Sequence, residues 1–144
     1  MAGKVLSVNI SDKKGIVKEP LEEGLFIEEF GLDKDAHSGK WHRQVSLLGI
    51  ESFRKMKNEG IDDLLPGDFA ENITTEGLVL YELPVGTKLV IGDTIQEVTQ
   101  IGKECHVGCA IAQKVGKCVM PKEGIFTRVI KGGIVRKGDL IEII

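Results

Sequence analysis

Short apolar runs, several of them alternating with polar positions and most bounded by glycine, make up much of the chain. Residues 4–10 (Lys-Val-Leu-Ser-Val-Asn-Ile) form one such run, and the Asp-Lys-Lys-Gly stretch at 12–15 predicts a turn after it. Residues 44–48, 78–80, 88–91 and 94–101 read as further strands, and 124–130, 133–136 and 140–144 complete the series. Gly132 and Gly133 have the form of a two-residue hairpin turn, and Lys137-Gly138-Asp139 of another turn before the last strand. Strands this short and closely spaced predict a mainly β protein, a compact barrel or folded sheet. Two stretches depart from that pattern. Between Gly49 and Gly60, Ile50, Phe53 and Met56 recur every third position among charged residues, which predicts an amphipathic helix stopped by Gly60. Residues 109–115 are compatible with a short second helix ending at Gly116.

At 144 residues the chain has the length of one ordinary domain, so residues 1–144 are expected to share one core. Hydrophobic residues make up 42% and charged residues 28%, which points away from disorder. No apolar run approaches the length of a bilayer span and no signal-peptide block opens the sequence, so a cytoplasmic protein without a membrane partner is expected. The net charge of −3 gives no support to nucleic-acid binding. Three cysteines cannot all pair within one chain, and a reducing compartment would keep them as thiols.

Among those thiols Cys105 has the most suggestive setting, in Gln-Ile-Gly-Lys-Glu-Cys-His-Val-Gly-Cys at 100–109. A strand ending near Gly102 and a helix starting near Cys109 would put Cys105 and His106 on the connecting loop, where functional groups concentrate. Lys103 and His106 favour a thiolate, the form that binds soft metals or carries sulfur, while Glu104 opposes it. Cys109 would lie at a helix start, where the dipole also favours thiolate; a buried cysteine acting as a small hydrophobe is the ordinary alternative for any of the three. A structural zinc site fits poorly, since Cys105-His106-x-x-Cys109 lacks the doubled knuckles of such sites. Nothing identifies a base, an orienting group and an oxyanion hole for hydrolytic cysteine catalysis.

Two further stretches carry polar chemistry. Residues 31–45 bring together His37, Lys40, Trp41, His42 and Arg43 in a glycine-containing loop able to hold an anion through charge-assisted hydrogen bonds; a solvated loop with Asp35 capping a turn would have the same composition. Residues 65–77 contain the Pro66-Gly67-Asp68 turn signal and the donors Asn72, Thr74 and Thr75, which suit either ligand contacts or an irregular connection.

In order and interval these stretches resemble the MOSC domain family, named for the carboxyl-terminal domain of molybdenum-cofactor sulfurase. The resemblance runs from about Gly24 to the carboxyl end. Gly31-Leu32-x-x-Asp35-x-His37-x-Gly39 with Arg43-x-Val45-Ser46-Leu47 looks like the family's early loop and strand. Pro66-Gly67-x-Phe69-x-Glu71-Asn72-Ile73-x-Thr75-x-Gly77 resembles its Glu-Asn-Ile block, followed by the Leu83-Pro84-Val85-Gly86 turn. Glu97-Val98, Gln100 and Cys105 match the family's Glu-Val, Gln and cysteine, and Gly124, Arg128 and 132–139 fit its end. Gly102 and Glu104 depart from the Arg and Pro that the family often has before its cysteine.

The resemblance implies a β-barrel-like domain associated with the molybdenum (pterin) cofactor, in which Cys105 accepts sulfur or ligates molybdenum. It further implies a supporting role in reduction of N-hydroxylated compounds, or alternatively a non-catalytic pterin-cofactor delivery or interaction protein. A phosphate-bearing, dithiolene-bound metal cofactor needs cations, polar donors and one soft ligand, for which His37, Arg43, Asn72, Thr75, Lys103, Arg128 and Cys105 are the candidates. One small domain has no room for the pyridoxal phosphate unit of a cysteine desulfurase, so a sulfur donor or an electron-transfer protein is the expected partner.

Overall fold

The strands close on themselves. In the computed structural model, which describes residues 2–58, 60, 64–102 and 120–144, β1 (Ala2–Ile10) pairs with β11 (Leu140–Ile143) at one end of a sheet that otherwise runs through β7 (Lys88–Ile91), β8 (Thr94–Ile101), β9 (Ile125–Lys131), β5 (Val45–Gly49) and β6 (Ile73–Glu76) back to β1. The result is a closed seven-stranded barrel, with β2 (Glu19–Leu21) added outside β1. All neighbours are antiparallel except β5 and β6. A parallel pair needs a crossover, and here it contains α1 (Ile50–Asn58). A second sheet of β3 (Glu23–Ile27), β4 (Gly31–Leu32) and β10 (Gly133–Arg136) sits beside the barrel.

Alternation sets which side chains turn inward. Along β9, Ile125, Thr127 and Val129 are buried in line, and along β8 Thr94, Gln96 and Val98 are. Of these, Ile125, Val129 and Val98 join Val5, Val8, Val45, Leu47, Ile73, Leu89, Ile91 and Ile141 in the main core. A second, smaller core lies outside the barrel wall, where Phe53 and Met56 of α1 meet Leu48, Phe69, Ala70 and Phe126. Phe53 and Phe69 pack edge to face with centroids 5.0 Å apart. The three-residue recurrence that predicts α1 is therefore the face that it buries.

Three expectations change. Residues 78–80 are not a strand: Leu78 and Leu80 are both buried in the main core, but the chain there enters a 3-10 turn (Leu80–Glu82). Burial at i and i+2 reproduces a strand's pattern without a strand partner. Conversely Ile73–Glu76, read as an irregular connection because of its threonines, is β6. Gly132 and Gly133 do not make a hairpin, since β10 pairs with β3 while β9 pairs with β5 and β8. They mark the crossing from barrel to second sheet, where a Cβ on Gly132 would lie 2.7 Å from the Phe26 carbonyl oxygen and one on Gly133 2.7 Å from that of Asp93. The expected short helix at 109–115 lies outside the described residues, as do Lys103 and Cys105. The described chain contains a different short helix, α2 (Met120–Glu123).

Candidate functional site

A cleft of about 190 Å³ opens on the outer face of the barrel above β5 and β9. Its floor is Ser46 and Phe126, cross-strand partners on those strands, and its rear wall is Phe69 and Ala70. Lys14, His37, Trp41 and Arg43 form the rim. Two other hollows lack this combination. One of about 340 Å³ is lined by Ile10, Ser11, Asp12, Ile16, Val17, Glu19 and Lys34, without an aromatic wall. In one of about 160 Å³ the cation Lys55 is engaged by Glu123 and Tyr81.

The rim rests on a buried ion pair. Lys18 Nζ donates to Asp35 Oδ1 at 2.8 Å and to Ser11 Oγ at 2.8 Å, and it lies 2.9 Å from His37 Nδ1. Neither partner of the Lys18–Asp35 pair has any exposed side-chain surface. Asp35 also accepts from the backbone N–H groups of Ser11 and His37, so one carboxylate ties the 11–18 loop to the 35–43 loop. Burial pushes its carboxyl up, but hydrogen bonding and charge from Lys18, with the two backbone donors, outweigh it and hold the group below its usual range. The Lys18 N–H in turn donates to the Gly67 carbonyl. Gly67 has φ +93°, and a Cβ there would come within 2.1 Å of the Lys18 carbonyl oxygen, so only glycine permits this approach.

Asn72 and Glu71 build the wall behind the cleft. Asn72 Oδ1 accepts from the Ser46 N–H at 3.0 Å, and its Nδ2 donates to the Asn9 carbonyl at 3.2 Å, clasping β5 to β1. Glu71 is fully buried and accepts from the N–H groups of Gly67 and Phe69 and from the Thr74 hydroxyl. Burial pushes its carboxyl up to about 7, against the opposing effect of those donors.

Arg43 is held differently from other surface cations. Its Nε donates to Gln100 Oε1 at 3.0 Å, the guanidinium carbon lies 5.3 Å from the centroid of the Phe126 ring, and its terminal nitrogens make no hydrogen bond or ion pair among the described residues. His42 shares the same Gln100 oxygen at 2.7 Å. Gln100 Nε2 donates to the Gly102 carbonyl, and the Gly102 N–H donates to the Gly124 carbonyl at 2.7 Å. Trp41 Nε1 donates to the His37 carbonyl, and Lys14 stands 5.1 Å from the Trp41 ring centroid.

Of the residues singled out in the sequence, His37 and Arg43 reach the cleft, and Asn72 stands directly behind it through Ser46. Thr75 does not line it: its buried hydroxyl lies near Gly49 and has no hydrogen-bond partner among the described residues. Arg128 lies further along β9, where Glu97 and Glu29 engage it. Lys14, Lys18 and Phe126 had not been singled out, Ser46 stood only within the family pattern, and no local motif marks Lys18. Glu71 was visible within its Glu-Asn-Ile block, but nothing in the order of residues shows three backbone and side-chain donors converging on its carboxylate.

The MOSC domain profile matches residues 34–142, three-quarters of the chain. The chain belongs to the MOSC domain family. MOSC domains are associated with molybdenum-cofactor-related proteins. The fold is also similar to that of YuaD from Bacillus subtilis, with 20% identity and a TM-score of 0.82 over 99% of this chain and 96% of that one. YiiM from Geobacillus stearothermophilus is similar with 20% identity and a TM-score of 0.78, over 99% and 75% of the two chains. YiiM from Escherichia coli has 18% identity and a TM-score of 0.66 over 98% and 69%. No curated protein matches the sequence. No helix among the described residues is long and apolar enough to cross a membrane.

Proposed function

We propose that this MOSC domain binds a molybdenum-bearing pterin cofactor, with the cleft receiving one end of it and Cys105 serving as sulfur acceptor or molybdenum ligand. The observation that carries the reading is Arg43, a guanidinium held in place by a neutral amide, with its terminal donors unpaired among the described residues and an aromatic wall beside it. Such a group offers two charge-assisted hydrogen bonds to a phosphate. Lys14 at the rim adds to the positive potential, and Phe69, Trp41 and Phe126 supply apolar surface for a flat heterocycle.

The donor set fits the ligand class, while the cleft's volume limits how much of the ligand it takes. Sites that enclose a whole drug-sized molecule have roughly 300–1,000 Å³. About 190 Å³ suits a phosphate or ring edge, so the cleft would hold one end of the cofactor. Connectivity supports Cys105 as the soft ligand, since it follows Gly102 by three residues and such a span covers at most about 11 Å. Gly102 itself is bonded to Gln100, the residue that holds Arg43. The cofactor would supply redox-active, sulfur-ligated metal. The chain's own part is to neutralise the anionic end, shield the ring from water and present a thiol; a sulfur donor or electron-transfer protein completes the reaction.

The test is anaerobic purification from a cofactor-producing host, followed by elemental analysis and mass spectrometry. Molybdenum and pterin are expected with the wild-type chain, and Cys105→Ser is expected to lose metal or persulfide. Protein carrying neither would overturn cofactor binding, and full retention by the variant would overturn the role of Cys105. Turnover of an N-hydroxylated substrate with a supplied electron donor separates a reductase from a delivery protein.

A further inference from the structure

Lys18 is an expensive way to hold a histidine. A backbone carbonyl facing Nδ1 would do so without burying a charge, and would select the opposite tautomer. A carbonyl accepts from Nδ1–H and leaves Nε2 with a lone pair, the arrangement of a general base or metal ligand. A lysine ammonium has donors only, so at 2.9 Å His37 Nδ1 accepts and the ring proton resides on Nε2, on the edge turned away from Lys18. Asp35 does not reverse this. Asp35 Oδ2 is 3.9 Å from Nδ1, beyond hydrogen-bond reach, and is occupied by the backbone N–H of His37 at 3.0 Å.

The tripod around Lys18 Nζ fixes its direction as well as its charge. Ser11 Oγ and Asp35 Oδ1 take two of its donors at 2.8 Å, which leaves the third pointing at the imidazole. Asp35 holds the backbone of His37, and Trp41 Nε1 binds the His37 carbonyl, so main chain and ring are positioned together. We propose that Lys18 is a positioning residue that locks His37 as the Nε2–H tautomer, so that His37 serves the cleft as a hydrogen-bond donor to an oxyanion. It is then neither the base nor a metal ligand of this site. The tautomer stands on this geometry alone, whereas the oxyanion partner rests on the functional reading above.

The two parts are tested separately. Long-range proton–nitrogen NMR on histidine-labelled apoprotein reads the tautomer directly, and the chain's three histidines are assigned by single substitutions. The Nε2–H pattern is expected for His37, and an Nδ1–H pattern would overturn the proposal without reference to any cofactor. Lys18→Met together with Asp35→Asn, which leaves no unpaired buried ion, is expected to shift His37 toward a mixture of tautomers; an unchanged spectrum would remove Lys18 from the role. For the oxyanion, inorganic phosphate is titrated against the emission of Trp41, the sole tryptophan. His37→Gln, which can place an amide N–H near the Nε2 position, should hold Kd within about threefold, and His37→Ala should weaken it about tenfold or more. Equal affinity in all three, or no phosphate binding by wild type, would overturn the donor role while leaving the tautomer result intact.

Discussion

Arg43 and Arg128 stand on the same outer face of the barrel, and their partners give them opposite uses. Arg128 is gripped by Glu97 at 2.7 Å and also by Glu29, and both contacts hold its guanidinium above its usual range. Its charge is neutralised within the protein. Arg43 meets a neutral amide instead, Gln100, which orients the guanidinium and leaves its charge available. A cation engaged by carboxylates strengthens a surface only slightly. One steered by an amide remains able to bind an anion, and that difference separates the cleft from the rest of the barrel wall.

The ion pairs beneath the two regions should break most unequally. Asp35→Ala leaves Lys18 charged and buried, and denaturant unfolding should show a loss of about 3–5 kcal/mol. Glu97→Ala, at the partly exposed Arg128 pair, should change stability by no more than about 1 kcal/mol. Similar losses would contradict the division into a buried frame and a solvated surface.

A second difference appears with pH. Because the Glu71 carboxyl titrates near 7 when folded and near 4.5 in its unperturbed state, the native chain binds more protons than the unfolded one between those values. Its contribution to stability therefore falls as pH rises from about 4.5 to 7 and is level above, by about 3 kcal/mol in all. Glu71→Gln should remove that slope, which paired urea titrations at pH 5 and 7.5 would show. Asp35 acts in the opposite sense, since its stabilisation is present above the ordinary carboxylate range and is lost as acid protonates it.

Ligand binding should then separate the two arginines. Arg43→Ala is expected to weaken inorganic phosphate binding about 10- to 100-fold, the scale of charged hydrogen bonds, and Arg128→Ala less than about twofold; calorimetry reads both. The smallest effect converts one arginine's setting into the other's. Gln100→Glu gives Arg43 a carboxylate, which should weaken phosphate several-fold while moving stability by about 0.5 kcal/mol or less. Unchanged affinity would show that the partner's charge is not what distinguishes the sites.

The regular part of the barrel was legible because alternation is a local property. Strands β7, β8 and β9 and helix α1 follow directly from period-two and period-three patterns. Strand β6 was hidden because Thr74 and Thr75 look like loop residues, yet both are fully buried. The 132–133 pair looked like a hairpin because two glycines serve equally well where a strand must squeeze past neighbouring backbone on its way to another sheet.

For the site, the sequence by itself determined the inventory and the family pattern: an imidazole, several cations, the Glu-Asn-Ile block and a cysteine. It could not say which cations would keep their charge. Glu97 and Gln100, three residues apart on an ideal strand, would face opposite sides. The register shift between Val98 and Gln100 places Glu97 opposite Arg128 and Gln100 opposite Phe126, beside Arg43. Glu97 and Gln100 thus lie 31 and 57 residues from the arginines they meet, and one extra residue in β8 decides that both reach the outer face. Lys18, 17 residues before Asp35 and 19 before His37, likewise acquires its role only when two loops meet. Residue chemistry is written locally, but whether a charge is neutralised, buried or left for a ligand depends on distances that only the closed barrel sets.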